Sequence, residues 1–551
     1  PTCGVSGGTD DMQPMNLDQK LHQKMYREIW QQYCGFLDLS LSEYMAIQER
    51  LMLEQIALYA KCPLGRKIMD GAAPQTLDEF RAVVPLTTYS DYADILLEKR
   101  EELLPAKPVI WIETTWEGGH HPIKTAPYTQ SMIDHHRGSI ISTMLLATSD
   151  RRGRFSLRSR DSFLFGMAPL PYFTGIIPYA IEGELTLRFM PEVNTAQKMS
   201  FGERNKTGFK LGLLNDIDIF FGMSGVVARM SEMFPDMAGG KGKKSSTLQM
   251  LKKAKPHMLY RLMRARAKVN AEGGEIYPKD LWHPKALMCG GTDSACFKKK
   301  IEYYWGVRPL EIFGGTEPTC IATETWSKDG MVFFPDVCFY EFIPEREMLK
   351  NLENPDFKPR TFLMDELVAG EKYELVISNF KGGAFMRYRV GDVFRCKRII
   401  NEADGIRFPQ FEYVDRVPNV IDIAGFTRIT ENTIRKAITV SGVQIHDWFA
   451  AKRYDSDSRP YMQLYVEMSE AAILTGVVAA DVIRDHLSAY FKYIDVDYSD
   501  LKKMLGIDPL VVTVIETGTI ERYEESHRRR IRRMNPPHYD VVEIEKLARL
   551  R

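Results

Sequence analysis

At 551 residues the chain has room for three to four structural units of about 150 residues each, and so for a large buried core. Its 73 lysines and arginines balance 73 aspartates and glutamates, and 44% hydrophobic with 26% charged residues is the make-up of an ordinary water-facing globular protein. These figures exclude a small disulfide knot and a low-complexity chain, and they remove any overall-charge argument for binding nucleic acid or an anionic membrane.

Residues 1–16 carry no basic stretch followed by an apolar one, so they read as a tail and not as a secretory signal. From Leu17 to about Ala60 apolar residues recur at helical spacing, as in Leu21, Met25 and Ile29, and predict helices. Val109 to Glu113 is a short strand candidate. It runs through Thr114 and Thr115 into Gly118-Gly119-His120-His121-Pro122, before a helix over about Gln130 to Leu146. Strand, glycine turn and helix is the setting in which backbone amides cradle phosphates.

A second strand, Ser162 to Met167, enters Ala168 to Gly175, where two prolines and a glycine forbid regular structure and predict a shaped loop. Asp218 to Phe221 is a further buried strand, and Gly239 to Ser246 a lysine-bearing flexible loop. Between Lys285 and Phe313 the order is strand, Gly-Gly turn, amphipathic helix (Ala295 to Trp305), strand: a βαβ unit, implying a parallel sheet with function at its strand C-termini. Tyr373 to Ser378, Arg387 to Gly391 and Val393 to Arg398 read as strands of a smaller sheet. After Arg416 come strands at Val420 to Ile423, Val443 to Ala451, Tyr461 to Met468 and Leu510 to Glu516, with helices near Glu431 to Val440 and Ala480 to Tyr493. The expected division is a tail (1–16), a large domain (17–416) and a small C-terminal domain (417–551). The eight cysteines show neither CxxC nor zinc-ligand spacing and read as reduced thiols of a cytoplasmic protein. The most apolar window, Ala471 to Ala480, is too short to cross a bilayer.

Ile312-Phe313-Gly314-Gly315-Thr316-Glu317 is the most specific chemical signal. Glycines admit close approach of a flat base or a phosphate, a threonine hydroxyl donates to phosphate oxygen, and a carboxylate holds magnesium. Alone, the same stretch would serve equally as a loop before a helix. Downstream stand Tyr388-Arg389-Val390-Gly391-Asp392 and Asp415-Arg416; Asp392, closing a strand, is placed to accept both hydroxyls of a ribose or to sit in a plain turn.

The order and spacing of these pieces resemble the adenylate-forming superfamily of acyl-CoA synthetases, luciferases and peptide-synthetase adenylation domains. Within it the chain is similar to the acyl acid amido synthetases of the auxin-responsive family, whose Tyr-Phe-Glu-Phe-Ile-Pro segment appears as Phe339 to Pro344 and whose Tyr-Arg-x-Gly-Asp segment appears as Tyr388 to Asp392. The resemblance implies an α/β fold: a large N-terminal domain with mixed sheets and a β-barrel-like subdomain, then a smaller mobile α+β domain. It implies an ATP-dependent ligase that activates a small carboxylic acid as an acyl-adenylate and condenses it with an amine, with ATP and Mg2+ as cofactors. By position Thr316 would meet the α-phosphate, Glu317 the magnesium, Asp392 the ribose, Arg416 ribose or phosphate, and Val337 the base. Thr114, Thr115, Gly118, Gly119, Gly314 and Gly315 would line the nucleotide, with Lys124 and Asn535 in catalytic positions.

Three features depart from the family's pattern. The phosphate loop keeps its end, Lys124 to Thr129, but its body holds Trp116 and Glu117, a bulky ring and a charge that repels phosphates. Asn535 falls where the family's C-terminal lysine would stand; Arg532 and Arg533 are near, but a guanidinium is a planar fork and not a point charge. Pro418 occupies a position near the usual hinge, where it narrows backbone rotation or simply punctuates a linker.

An acyl pocket is expected between the helix carrying Met132, His135 and His136 and the loop carrying Tyr172 and Phe173, with His120 and His121 as further substrate contacts or as solvated loop residues. The expected partners are small acid and amine substrates, with no nucleic acid and no membrane, and the expected state is a monomer. Two rival readings stay open: a condensing enzyme that takes a pre-activated acyl donor or a thiol or alcohol acceptor, and a weakened homologue that binds nucleotide or small acids.

Overall fold

The computed structural model describes residues 15–114, 121, 123–238, 254–425, 427–469, 480–494, 506 and 508–549. The Gly239 to Ser246 loop, most of the Ala471 to Ala480 window, and Thr115 to His120 lie outside them.

Helices Leu17–His22, Tyr26–Cys34 and Leu41–Lys61 open the chain, as the helical spacing predicts. Two of them begin with a capping box, at Asn16 with Gln19 and at Ser40 with Glu43, which satisfies backbone donors that a helix start leaves open. Strand β1 (Ile110–Glu113) pairs antiparallel with β2 (Thr125–Tyr128), so the phosphate-loop segment is the connection of a small hairpin. Helix Gln130–Ala147 follows, capped by the Thr129 hydroxyl on the Met132 amide, and β3 (Ser149–Arg151) and β4 (Arg154–Phe155) form a second small hairpin.

The centre is one sheet of eleven strands, in the order β12-β13-β14-β15-β11-β10-β9-β8-β7-β5-β6. Strands β5 (Ser162–Gly166), β6 (Arg188–Met190), β7 (Ile219–Met223), β8 (Ala286–Gly290) and β9 (Leu310–Gly315) run parallel. Strands β5 and β8 are buried at every position, as expected where helices cover both faces. The predicted βαβ unit is present as β8, helix Ser294–Trp305 and β9, and the helix stops at Gly306, whose φ of 68° is the left-handed conformation of a C-terminal cap.

Strands β10 (Thr319–Glu324), β11 (Met331–Phe333), β12 (Cys338–Pro344), β13 (Lys372–Asn379), β14 (Tyr388–Arg398) and β15 (Gln410–Arg416) extend the sheet as an antiparallel wing. The two strands expected at Arg387 to Gly391 and Val393 to Arg398 are one, β14, and they belong to the large sheet. Gly391 at φ 82° lets the strand continue through the bend that alternation alone reads as a break.

Beyond Arg416 lie the hairpin β16 (Val420–Ile423) and β17 (Thr427–Thr430), helix Glu431–Ser441, and the sheet β18 (Ile445–Tyr454), β19 (Pro460–Met468) and β20 (Leu510–Ile515). Their core joins Ile421, Ile434, Trp448, Leu464 and Leu487, and it also takes in Val226 of helix Ser224–Ala238. A second cluster, around Phe449, Tyr465, Tyr523 and Val541, backs the same sheet. The seven described cysteines are free thiols. Among the described residues no helix is long and apolar enough to cross a membrane.

Candidate active site

The turn from β9 to β10 carries Gly314 to Thr319. A side chain at Gly314 would meet Thr319 O at 2.6 Å and Phe173 at 3.0 Å, so only glycine admits this closely folded turn. The turn is pinned from outside: the Tyr128 hydroxyl donates to Thr316 O at 2.8 Å, and Asn379 Nδ2 donates to Glu317 O at 3.0 Å. The Thr316 hydroxyl reaches Glu113 O at 3.4 Å, which ties the turn to the end of β1.

Glu317 is buried, and its carboxylate is the centre of a three-residue contact. Tyr388 OH donates to Oε1 at 2.7 Å, while Lys124 Nζ stands 3.3 Å from the same oxygen and 3.5 Å from the phenol oxygen. Burial alone would neutralise this carboxyl, but the Lys124 charge and the Tyr388 hydrogen bond prevail and hold it below the ordinary carboxylate range. Burial likewise presses on Lys124, and the Tyr388 and Glu317 oxygens hold its ammonium above the ordinary value. Thr114, named as a nucleotide contact, puts its hydroxyl on the Lys124 amide at 3.0 Å and so closes the loop between β1 and β2.

On the antiparallel wing, Asp392 of β14 lies opposite Arg416 of β15. Its carboxylate accepts from Tyr413 OH at 3.1 Å and faces Arg416 Nε at 3.4 Å. Burial pushes its pKa up to about 6, with Arg416 and Tyr413 acting against the rise. The Arg416 charge also acts on Glu317, and Glu317 on Asp392, so the two groups share one electrostatic neighbourhood.

Arg416, Pro418, Lys452, Arg532, Asn535 and His538 line a cleft of about 260 Å3 between the wing and the C-terminal elements. Asn535, at φ 44°, is engaged by backbone groups: its Oδ1 accepts from Lys452 N at 2.8 Å, and its Nδ2 donates to Val420 O at 3.0 Å. The buried cation here is Lys452, which motif spacing does not single out. It is 4% exposed and lies 2.8 Å from Asp293 and 3.3 Å from Asp415. Asp293 also accepts from Tyr454 OH at 2.7 Å and from Ala424 N at 2.9 Å, which makes it the junction between the large sheet and β18. Replacing Lys452 by Met strands two carboxylates there; amide exchange in β16 and β18 is expected to rise about tenfold or more, and Lys452→Arg is expected to recover part of the protection.

Of the expected substrate contacts, Met132 is buried on the helix Gln130–Ala147, and the half-buried Phe173 sets its ring at a tilt against His136 at 5.0 Å. Tyr172 forms a bridge with Glu113, and His121 packs edge-on against Tyr89 at 5.6 Å, on the Lys124 side. Val337 is half-buried against the main core. A side chain at Gly315 would come within 3.4 Å of Pro318 in the turn. Thr115, Trp116, Glu117, Gly118, Gly119 and His120 are outside the described residues. Among the described residues no three acidic, histidine or cysteine side chains gather as a metal-binding group. A magnesium ion held chiefly by phosphates and water needs only one or two protein carboxylates, so the lone Glu317 carboxylate of this turn is compatible with one.

Residues 331–416, the antiparallel wing from β11 to Arg416, match the GH3 family central domain. An indole-3-acetic acid-amido synthetase of Arabidopsis thaliana, GH3.15, is 26% identical over 273 residues, which is 45% of this chain and 43% of the relative. A jasmonoyl–L-amino acid synthetase of Nicotiana attenuata, JAR4, is 24% identical over 196 residues, or 34% of this chain and 30% of the relative. The chain thus spans less than half the length of these curated relatives. Two solved structures match along nearly the whole chain: a 2-hydroxyisobutyryl-CoA ligase complex (TM-score 0.57, 15% identity, 93% of each chain) and an AtGH3.15 acyl acid amido synthetase complex (TM-score 0.51, 16% identity, 97% of each chain). The chain shares the fold of these two ligases. The sequence likeness is to the GH3 amido synthetases, and it is strongest where residues 331–416 match their central domain.

Proposed function

We propose that this protein activates a small carboxylic acid with ATP as an acyl-adenylate and then passes the acyl group to an amine, forming an amide and releasing AMP. The observation that carries this reading is the meeting of Lys124, Glu317 and Tyr388 beside the Thr316 turn, with the Asp392 and Arg416 pair in the same electrostatic neighbourhood. A carboxylate is a poor acyl donor until one of its oxygens joins a good leaving group. Making the phosphate ester requires two anions, carboxylate and α-phosphate, to approach. Cations and hydroxyl donors fixed in a low-dielectric site lower that barrier without reorganising.

In this reading Lys124 and Arg416 supply the positive charge, Thr316 donates to an α-phosphate oxygen, and Gly314 and Gly315 leave room for the nucleotide. Asp392 accepts the two ribose hydroxyls, and Val337 flanks the base. Glu317 would hold Mg2+, which when bound neutralises phosphate charge; Tyr388 keeps that carboxylate ionised and oriented. The amine acceptor and the roles of Thr114, Thr115, Gly118, Gly119 and Asn535 follow the relatives, and the small domain is taken to begin at 417.

The test is magnesium-dependent release of pyrophosphate from ATP with a panel of aromatic and aliphatic acids, with and without mixed amines. Acid-dependent release, with amide appearing only when amine is present, is the expected result, and Lys124→Met should reduce release by about 100-fold or more. Nucleotide binding with no release for any acid would overturn it in favour of a pre-activated donor or a binding role.

A further inference from the structure

An internal cavity of about 30 Å3 lies beneath the C-terminal ends of the parallel strands, with His136, Thr143, Phe173, Phe221, Met288 and Gly314 in its wall. The Thr143 hydroxyl donates to Ser139 O at 2.8 Å and partners the Cys320 thiol, which leaves His136 as the unpartnered polar group of the lining. His136 is 1% exposed, and neither of its ring nitrogens has a hydrogen-bond partner. Burial presses its pKa down to about 3, so the ring is neutral at any working pH and offers one N–H donor and one nitrogen acceptor. A buried polar group left unpaired costs about 1–3 kcal/mol and is rare in folded proteins. Leucine or phenylalanine would fill this helix position without that cost. An imidazole facing a void among apolar walls is therefore a group whose partner arrives from outside.

Gly314 joins the cavity to the site already described, since it forms part of the wall two residues before Thr316. An acid with its chain in the cavity would present its carboxylate toward the Thr316 turn. The volume sets the size of that chain, because about 30 Å3 accommodates roughly two water-sized groups and excludes an indole or a comparable ring system.

Resting on the adenylation reading, we propose that this cavity is the acyl pocket, and that His136 selects a short aliphatic acid bearing one hydroxyl or oxo group on its chain. The pocket distinguishes such an acid from its hydrocarbon parent by the hydrogen bond that His136 otherwise lacks, and from larger aromatic acids by volume. His136 is thus a specificity-determining residue for the acid.

The experiment uses the full chain and compares acetic and propionic acids with their hydroxylated and oxo derivatives and with indole-3-acetic acid. Pyrophosphate release from ATP is followed for each, and acid binding without nucleotide is measured by calorimetry. A hydroxy or oxo acid is expected to exceed its parent in kcat/KM by about tenfold or more, the equivalent of one hydrogen bond. His136→Leu should erase that ratio, leave KM for ATP unchanged, and keep or raise the thermal midpoint because an unpartnered polar group is gone. His136→Phe should close the cavity to every acid while ATP still binds.

The same polar-to-apolar ratio in the native chain and in His136→Leu would overturn the pocket while leaving adenylation standing. A polar preference in binding that His136→Leu removes, without pyrophosphate release, would uphold the pocket and overturn the adenylation reading. Efficient use of indole-3-acetic acid over every short acid would overturn the pocket on size.

Discussion

Glu341→Ala is expected to destabilise the protein by about 3–5 kcal/mol and to lower its thermal midpoint by several degrees. Glu341 is 1% exposed on β12, and its two oxygens are gripped by Arg387, with Nε to Oε2 and Nη2 to Oε1 both at 2.9 Å. Arg81 and the Thr361 hydroxyl, the latter at 2.6 Å, complete the shell. Arg387 spends its remaining donor group on the Arg81 and Val84 carbonyls, both at 2.6 Å. Removing the carboxylate leaves a guanidinium buried with its hydrogen bonds half-filled and its charge uncompensated. Much of the expected cost is the price of that stranded charge, so the pair Glu341→Leu with Arg387→Met should be less damaging than either single change. Scanning calorimetry on the three variants decides this, and a double variant as unstable as the sum of the singles would contradict it.

The effect reaches the Lys124 cluster because Arg387, at φ 45°, directly precedes Tyr388. Glu341 belongs to the aromatic segment Phe339 to Pro344 that carries the family resemblance, and its position explains why a carboxylate stands among those apolar residues. It holds the backbone from which Tyr388 reaches Glu317, and it has no contact with the Lys124 cluster itself. Its role is to position, not to react.

Asp392→Asn carries the second large effect. Affinity for ATP and AMP should fall about 100-fold, the worth of two hydrogen bonds to a charged acceptor, while the ligand-free protein stays as stable as before or gains at alkaline pH. Burial raises this carboxyl to about 6 in the folded chain, against an ordinary 3.8. A raised carboxyl favours folding when protonated. Its contribution is therefore complete below about pH 4, declines as pH rises through 6, and leaves a penalty of about 3 kcal/mol once the group is ionised. In the proposed reading the ionised form accepts two ribose hydroxyls, so nucleotide affinity should weaken as pH drops below 6. Calorimetric titration with AMP at pH 8 and at pH 5.5 tests both signs, and unchanged affinity in Asp392→Asn would remove Asp392 from the site.

The parallel half of the sheet was legible because its signals are local. Continuous apolar runs at Ser162 to Gly166 and Ala286 to Gly290, glycine turns after them and a helix capped by Gly306 are each readable within a dozen residues. The Thr316 turn and the Tyr388 to Asp392 segment were legible as motifs, by residue type and order. Their partners were not, since Tyr388 finds Glu317 across 71 positions and Lys452 finds Asp293 only through the packing of β18 on the large sheet. Those contacts are products of tertiary structure, which no spacing rule encodes. Hairpin strand β17 escaped notice because Thr427 to Thr430 is short and mixed in polarity. His136 was visible as a residue near the acyl pocket, but its lack of a partner is apparent only once the walls around it are in place.

In the proposed reaction a carboxylate oxygen attacks the α-phosphate of ATP at the Thr316 turn. The most direct measurement supplies an accepted acid labelled with heavy oxygen in its carboxyl group, together with ATP, Mg2+ and an amine, and follows the label by mass spectrometry. One labelled oxygen is expected in the released AMP, equal in amount to the amide formed. Label recovered in inorganic phosphate, or amide formed with unlabelled AMP, would contradict it.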